Sequence, residues 1–478
     1  MTYYQKHLGR LLIRLDHVRT KYVRHRNFII FVSFIIGALS ALAAVFLKLL
    51  VGFVEHQANR LNDVMNSNWL TAIFPLIGVG ISFLLLKRVF QGKLTRGVGF
   101  ILKSVLTEKS RIGIQHTFGH ILTSAVTVAM GGSVGLEAPI VATGSAIGSN
   151  TGRDLRLSYR DITLLVACGA ASGIAAIFNC PIAGIIFALE VLLLDFNIPF
   201  FIPLLISTAT ATVISQVLYP EKFFAFNIVA WEMSSIPFYI LLGILCGLLS
   251  VYTTNVVERL ETRFDNMPNT YKTWLKGAVP LCLLIFIVPN LYGEGYGLIT
   301  SLLNGNTDVL TSHSIFRKLG NVHIAIIGMC LLVILLKPLS AVLTIGAGGN
   351  GGIFAPSLII GGTAGFAFSY LVNLASDMTR YIPNFQTDFN IKSPNFIVTG
   401  MAGVLAGVMH APLTAIFLLA EITGGYTLFI PLMIVCAISY FMTRKYVKHS
   451  LYHKALIESK LIRRNYTTDD EVSEDEVL

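Results

Sequence analysis

Residues Gly131–Gly148 read GGSVGLEAPIVATGSAIG, and the fold of the whole chain turns on that stretch. Between Ile121 and Gly152 its Glu137 is the single charged residue. A carboxylate at membrane depth is costly and marks function. Gly131, Gly132 and Gly135 let the backbone bend and approach a ligand closely. Pro139 suits the first turn of a helix, where its missing N–H costs nothing. A helix starting there presents unbonded amides and the positive end of its dipole, which together favour an anion. Glu137, two residues before that start, could set its carboxylate where a free anion would sit. A tethered anion competing with a mobile one makes a gate. The plainer alternative is that the glycines serve close helix packing and Glu137 bonds locally.

A second copy weighs against the plainer alternative. Gly348–Pro356 reads GGNGGIFAP against GGSVGLEAP at Gly131–Pro139, with five of nine positions identical. Ile353 answers Leu136, and Phe354 stands where the first copy has Glu137. Pro181 to Glu190 is likewise echoed by Pro412 to Glu421, nine residues apart in both copies. The spacing predicts two related halves, 27–216 and 236–443, joined by a linker at 217–235. Each half holds a Gly-rich break followed by a Pro-to-Glu helix. Half-helices that meet near the midplane are a transporter architecture.

The composition agrees. The 478 residues are 54% hydrophobic and 13% charged, with mean hydropathy +0.69. Those values exclude a soluble enzyme and point to an all-α polytopic membrane protein. Several charge-poor runs exceed the roughly 20 residues that cross a bilayer. Others are cut by Gly and Pro, which is tolerated where backbone lines a cavity. The net charge of +10 gathers at the ends: Lys6, Arg10, Arg14, Arg19, Lys21, Arg24 and Arg26 before the first span, Arg444, Lys445, Lys448 and Lys454 after the last. By the positive-inside rule both termini are expected in the cytoplasm, with the protein in the plasma (inner) membrane. The charge is a topology signal, not a nucleic-acid patch. Residues 1–26 lack the apolar core of a signal peptide. Their leucines at helical spacing predict a basic helix lying on the membrane surface. Residues 444–478 are expected to form a short cytoplasmic tail without a regulatory domain.

Glu55 to Ser67 is expected as a polar link between the first two spans. Glu258, Glu261, Arg263 and Asp265 are expected to mark a surface loop. The six cysteines, Cys168, Cys180, Cys246, Cys282, Cys330 and Cys436, lie unpaired in apolar runs and read as small core residues, with no metal site or cofactor implied. His120 and His410 stand alone in apolar runs and read as core or interface histidines. No paired acids, His–Glu metal set or Ser with a base emerges, so an enzyme is not expected. A cation-coupled solute carrier is the remoter transport alternative; it would need several midplane acids, and Glu137 is the one clearly placed.

Taken together, these residues resemble the CLC family of chloride channels and proton/chloride exchangers across nearly the whole membrane part. Gly135-Leu136-Glu137-Ala138-Pro139 is similar to the family's GxEGP motif, with Ala138 in place of the second Gly. Gly352-Ile353-Phe354-Ala355-Pro356 matches its GxFxP motif. Tyr452 falls where the family has a pore tyrosine after the last membrane helix. The resemblance implies that Glu137 gates the outer anion site, at the head of the helix carrying Pro139. It implies that Gly135 and Leu136 border this site. The amides of Ile353 and Phe354, on the helix carrying Pro356, would line a central site with the Tyr452 hydroxyl. It also implies a homodimer with one pore per subunit, the helices ending at Glu190 and Glu421 belonging to the dimer face. The alternative for those two acids is local bonding at a helix end.

Two departures bear on function. The family's GSGIP motif aligns with Gly97-Val98-Gly99-Phe100-Ile101, so Val98 replaces a serine hydroxyl at the central anion, and buried anions need donors. The inner proton-carrying glutamate of exchangers should follow Glu190, where this chain has Val191. The expectation is therefore passage of chloride or another small anion through a glutamate-gated pore in the bilayer, channel-like or uncoupled. The alternative is a proton-coupled antiporter using another proton route. Anions would approach through a basic-to-neutral vestibule and be held by helix ends rather than by full positive charges.

Overall fold

The chain was described from a computed structural model covering residues 24–65, 68–192, 201–220, 230–268, 270–311, 322–379 and 391–452. Among the described residues there are 17 α-helices. The first half holds α1 (His25–Met65), α2 (Asn68–Leu84), α3 (Gly99–Thr107), α4 (His116–Ala129), α5 (Glu137–Asp154), α6 (Tyr159–Phe178), α7 (Pro181–Phe187) and α8 (Phe201–Leu218). The second holds α9 (Ile236–Asp265), α10 (Tyr271–Ile287), α11 (Tyr296–Leu303), α12 (Asp308–Thr311), α13 (Val322–Gly346), α14 (Phe354–Thr379), α15 (Ser393–Met409), α16 (Pro412–Ile422) and α17 (Phe429–Tyr446). Seven helical stretches among the described residues are long and apolar enough to cross a membrane. On α1, Phe31, Phe34, Leu42, Phe46, Leu49 and Phe53 are exposed at spacings that keep them on one side, an outward apolar stripe suited to lipid rather than water.

Two expectations drawn from charge are corrected here. Helix α1 has 41 residues, about 60 Å at 1.5 Å per residue, against a hydrocarbon core of about 30 Å. It therefore runs on as helix through Glu55 to Met65, and the expected link is its last turns. Glu258, Glu261, Arg263 and Asp265 likewise form the last two turns of α9, not a loop. Helical turns that leave the bilayer can carry charge without ending. The expected surface helix lies almost wholly outside the described residues, as does the tail beyond Tyr452.

The two halves repeat their local solutions. Helix α6 starts with the Ser158 hydroxyl accepting the Asp161 amide at 3.3 Å and ends on Asn179 in the left-handed region, φ 59°. Cys180 then leads to Pro181 at the first helical position of α7. Helix α15 ends on His410 at φ 54°, and Ala411 leads to Pro412 at the start of α16. The most extensive packing pairs α5 with α6 and α14 with α15. Both contacts use small residues four apart. A Cβ on Gly144 would lie 2.1 Å from the Gly169 carbonyl oxygen, and one on Gly148 2.0 Å from that of Leu165. A Cβ on Gly361 would lie 2.2 Å from the Gly400 oxygen, and one on Gly365 2.0 Å from that of Phe396. This is helix contact at backbone distance, the packing that membrane helices use in place of a hydrophobic drive.

The two Gly-rich breaks meet. Gly135 and Gly352 form an isolated antiparallel bridge, each amide donating to the other's carbonyl at 2.9 Å. This pairing brings the N-termini of α5 and α14 together inside the molecule. Sequence reasoning started α5 at Pro139; it starts at Glu137, with Leu136 as cap, so the acid is the first helical residue itself. Pro139 and Pro356 each occupy the third position of their helix, inside the first turn, where no intrahelical bond needs their N–H.

Candidate functional site

Glu137 sits at the junction of the paired breaks with 2% of its surface exposed. Its Oε1 accepts the Tyr296 hydroxyl. Its Oε2 makes no well-formed hydrogen bond, and the backbone amides of Glu137 and Ala355 are the donors facing the carboxylate. The side chain is folded back over Gly135, where a Cβ would lie 2.0 Å from Oε2 and 2.7 Å from the Ala355 Cβ. Gly135 is thus needed for this placement, since any side chain there would displace the carboxylate. The first amides of a helix have no intrahelical acceptor, so the heads of α5 and α14 offer donors and two positive dipole ends to one buried point. The acid occupies that point.

A cavity of about 560 Å³ approaches from one side. Val98, Ile353 and Tyr452 line it together, as does Ala138 next to Glu137. Tyr452 lies within electrostatic range of Glu137. The structure therefore brings Val98, Ile353 and Tyr452 to one space, with Ala138, the residue after Glu137, in its wall. Leu136 and Phe354 are buried beside it, the Phe354 ring 5.7 Å from that of Phe178. Val98 is the cap residue of α3 and presents no hydroxyl. The vestibule departs from the basic-to-neutral expectation. Arg96 and Lys103 line it, but so do Glu258, Glu261 and Asp265 from α9. Arg96 donates to the carbonyls of Ile345 and Gly349, pinning the α3 approach to the second Gly-rich break.

Val191 is buried in the π-helical turn Ala188–Leu192. Beside it, Glu190 accepts the amides of Leu413 (3.1 Å) and Thr414 (2.7 Å) and the Thr414 hydroxyl. Glu421 accepts the amides of Ile182 (3.1 Å) and Ala183 (2.8 Å). Each acid at the end of one Pro-to-Glu helix therefore caps the start of the other, a reciprocal bond between halves rather than the local bonding weighed from sequence. His120 is not isolated. It hydrogen-bonds His116 (3.0 Å) and Asn350 (3.0 Å), and Asn350 donates to Thr123 (2.6 Å), so this polar chain anchors the second Gly-rich break. His410 serves as the left-handed end of α15.

Two functional candidates escaped sequence reasoning. Glu294, between α10 and α11, reaches the head of α5, its Oε1 accepting the Leu136 amide at 3.2 Å. Glu137 is thus not the one acid at this depth. Lys337, in the middle of α13 and fully buried, donates to Ser133 Oγ (2.9 Å), the Gly293 carbonyl (2.9 Å) and the Leu291 carbonyl (3.4 Å). The signal for Lys337 was present: one cation splits the charge-free run from Ile324 to Ser376. Glu294 lies in the polar tetrad Gly293-Glu294-Gly295-Tyr296 and reads as a turn.

Comparison with known proteins agrees with this architecture. A family model described as voltage gated chloride channel matches residues 77–444. A ClcB-like protein of Ralstonia nicotianae is 26% identical over 82% of this chain and 86% of its own length. The H(+)/Cl(-) exchange transporter ClcA of Vibrio cholerae is 29% identical over 63% of this chain and 60% of its own length. Among solved structures, a slow cyanobacterial Cl-/H+ antiporter superposes with a TM-score of 0.73 at 21% identity, covering 93% of this chain and all of that one. A CLC-type fluoride/proton antiporter gives 0.70 at 23% identity, covering 89% and 97%. The paired helix ends, the two motif copies and a family match over most of the membrane part lead to one assignment: this integral membrane protein belongs to the voltage-gated chloride channel (CLC) family.

Proposed function

We propose that the protein carries chloride, or another small anion, across the bilayer along the path from the Tyr452 cavity to the head of α5, with Glu137 as its gate. One observation carries the reading: a carboxylate occupies the point where the N-termini of α5 and α14 converge. Ionised, Glu137 holds the helix-end donors against a mobile anion. Protonated, it no longer satisfies them, and an anion takes its place. Partial charges bind an anion firmly enough to admit it and weakly enough to release it. Ile353, Phe354 and Tyr452 form the inner part of this path, and Val98 leaves it one hydroxyl poorer. Arg444 and Lys445 in the last turn of α17, a few residues before Tyr452, support a cavity facing the cytoplasm, with both chain ends on that side. Two copies are expected to associate through α7, α8, α16 and α17, where Ile182, Leu205, Leu413, Ile430 and Met433 are exposed.

Val191 favours passive or uncoupled conduction, because an apolar side chain cannot hold a proton where exchangers have an acid. Proton-coupled exchange is the second reading, favoured by the similarity to ClcA and to the antiporter structures. Purified protein in liposomes with a chloride gradient separates them when chloride efflux and external pH are recorded together, with and without a proton shunt. Uphill proton uptake driven by chloride efflux establishes exchange. Rapid efflux without proton movement establishes passive conduction. Flux of another anion but none of chloride refutes chloride as the substrate.

A further inference from the structure

Glu294 and Lys337 are unused by the gate reading, yet they converge on the same helix end, and neither lines the cavity. Helix α10 starts six residues after α9 ends at the cavity and is about 25 Å long, and no residue of the segment from Pro289 to Tyr296 lines the cavity. There Glu294 binds the Leu136 amide, one residue from the gate. Tyr296, two residues on, binds the Glu137 carboxylate. Glu137 is sealed at 2% exposure, whereas Glu294 remains partly exposed. Two carboxyl groups thus share one helix terminus, and the residue carrying the second keeps part of its surface exposed.

We propose that Glu294 is the outer, proton-exchanging partner of Glu137: the two carboxyl groups act as a coupled pair at the head of α5, and the charge on Glu294 sets the pH at which Glu137 releases the path to an anion. The inference rests on Glu137 being the gate. The groups facing Glu294 are Glu137 from α5, Tyr296 on its own segment, Glu55 from α1 and Lys337 from α13. Lys337, held by Ser133 and by the Leu291 and Gly293 carbonyls just before Glu294, sets its amino group beside the pair. Like charges this close disfavour double ionisation, so a proton on either group makes it easier for the other to stay charged. With Glu294 charged, Glu137 takes up its proton more readily and the gate opens at higher pH. With Glu294 neutral, Glu137 holds its charge, and the block, to lower pH.

The test is chloride efflux from liposomes as a function of external pH for the native protein, E294Q, E294D, E137Q and the E137Q/E294Q double variant. Glutamine keeps an oxygen for the Leu136 amide, so E294Q removes charge and not the bond. The expected result is an E294Q activation midpoint at least about one pH unit more acidic than native. E294D should keep the native midpoint, and both E137Q proteins should conduct without pH dependence. An E294Q profile that superimposes on the native one overturns the proposal. So does an E294D shift as large as that of E294Q, which would mark a structural role, or an E294Q protein silent at every pH. If E137Q keeps its pH dependence, the gate reading fails on its own evidence, whatever E294Q does.

Discussion

The most exacting consequence of the geometry concerns one hydroxyl. Tyr296 donates to the Glu137 carboxylate in the blocked arrangement. A hydrogen bond to a charged acceptor contributes about 1.5–3 kcal/mol. Tyr296→Phe keeps the ring and removes only the donor. The loss falls on the ionised, blocked state, because the protonated and displaced side chain does not need the bond. At a fixed alkaline pH the gating equilibrium should shift toward the open state by about 12- to 150-fold, since each 1.36 kcal/mol is a factor of ten. The sign follows directly: removing a donor to the charged form makes that form give way at higher pH. The activation curve should therefore move to alkaline pH by about one to two units, opposite in direction to the shift expected for E294Q. Chloride efflux from liposomes, titrated from pH 4 to pH 9 on the Glu137 face, reads it. A Y296F curve that overlays the native one, or moves toward acid, would refute the placement of Glu137 as a blocking carboxylate held by Tyr296.

Other outcomes follow from the same contacts. Val98→Ser puts a hydroxyl donor on the cavity wall and should tighten apparent chloride affinity by about 2- to 12-fold, the equivalent of one net hydrogen bond, measured by chloride titration calorimetry or competition of flux. Gly148→Ala and Gly365→Ala force a Cβ to within 2.0 Å of a backbone oxygen and should each destabilise by about 1–3 kcal/mol or more. Gly52→Ala, with nothing within 4 Å, should not lower the thermal midpoint in detergent. Glu190→Ala and Glu421→Ala each uncap a helix at the join between halves and should lower thermal stability by about 1–2 kcal/mol while leaving the pH midpoint of flux where it was.

Much of the site was legible because it rests on features that sequence records directly. Glycine where two backbones touch, proline in a first helical turn and a lone acid in an apolar run are all local, and the duplicated glycines and prolines pointed to half-helices meeting near the midplane; the Gly135–Gly352 bridge itself came from the fold. The Pro-to-Glu spacing was equally plain, but its meaning was not. That Glu190 caps Leu413 and Thr414, and Glu421 caps Ile182 and Ala183, depends on the halves crossing, which no local pattern states. Charge misled twice for one reason. Glu55–Met65 and Glu258–Asp265 read as connections because they are polar, yet a helix that leaves the bilayer meets water without breaking. Glu294 was hidden because glycines on both sides make it look like an ordinary turn; only the fold brings that turn against Leu136. His120 read as solitary although His116 stands one helical turn before it; its other partner, Asn350, is 230 residues away.

The central claim is that the Glu137 carboxylate stands in the anion path at the meeting of α5 and α14. It is tested most directly by chloride efflux against external pH for native protein and E137Q, reconstituted side by side at equal density. The account predicts that native flux rises as pH falls while E137Q conducts rapidly and equally at every pH. An E137Q protein whose flux still climbs steeply with acid would place the gate elsewhere and contradict it.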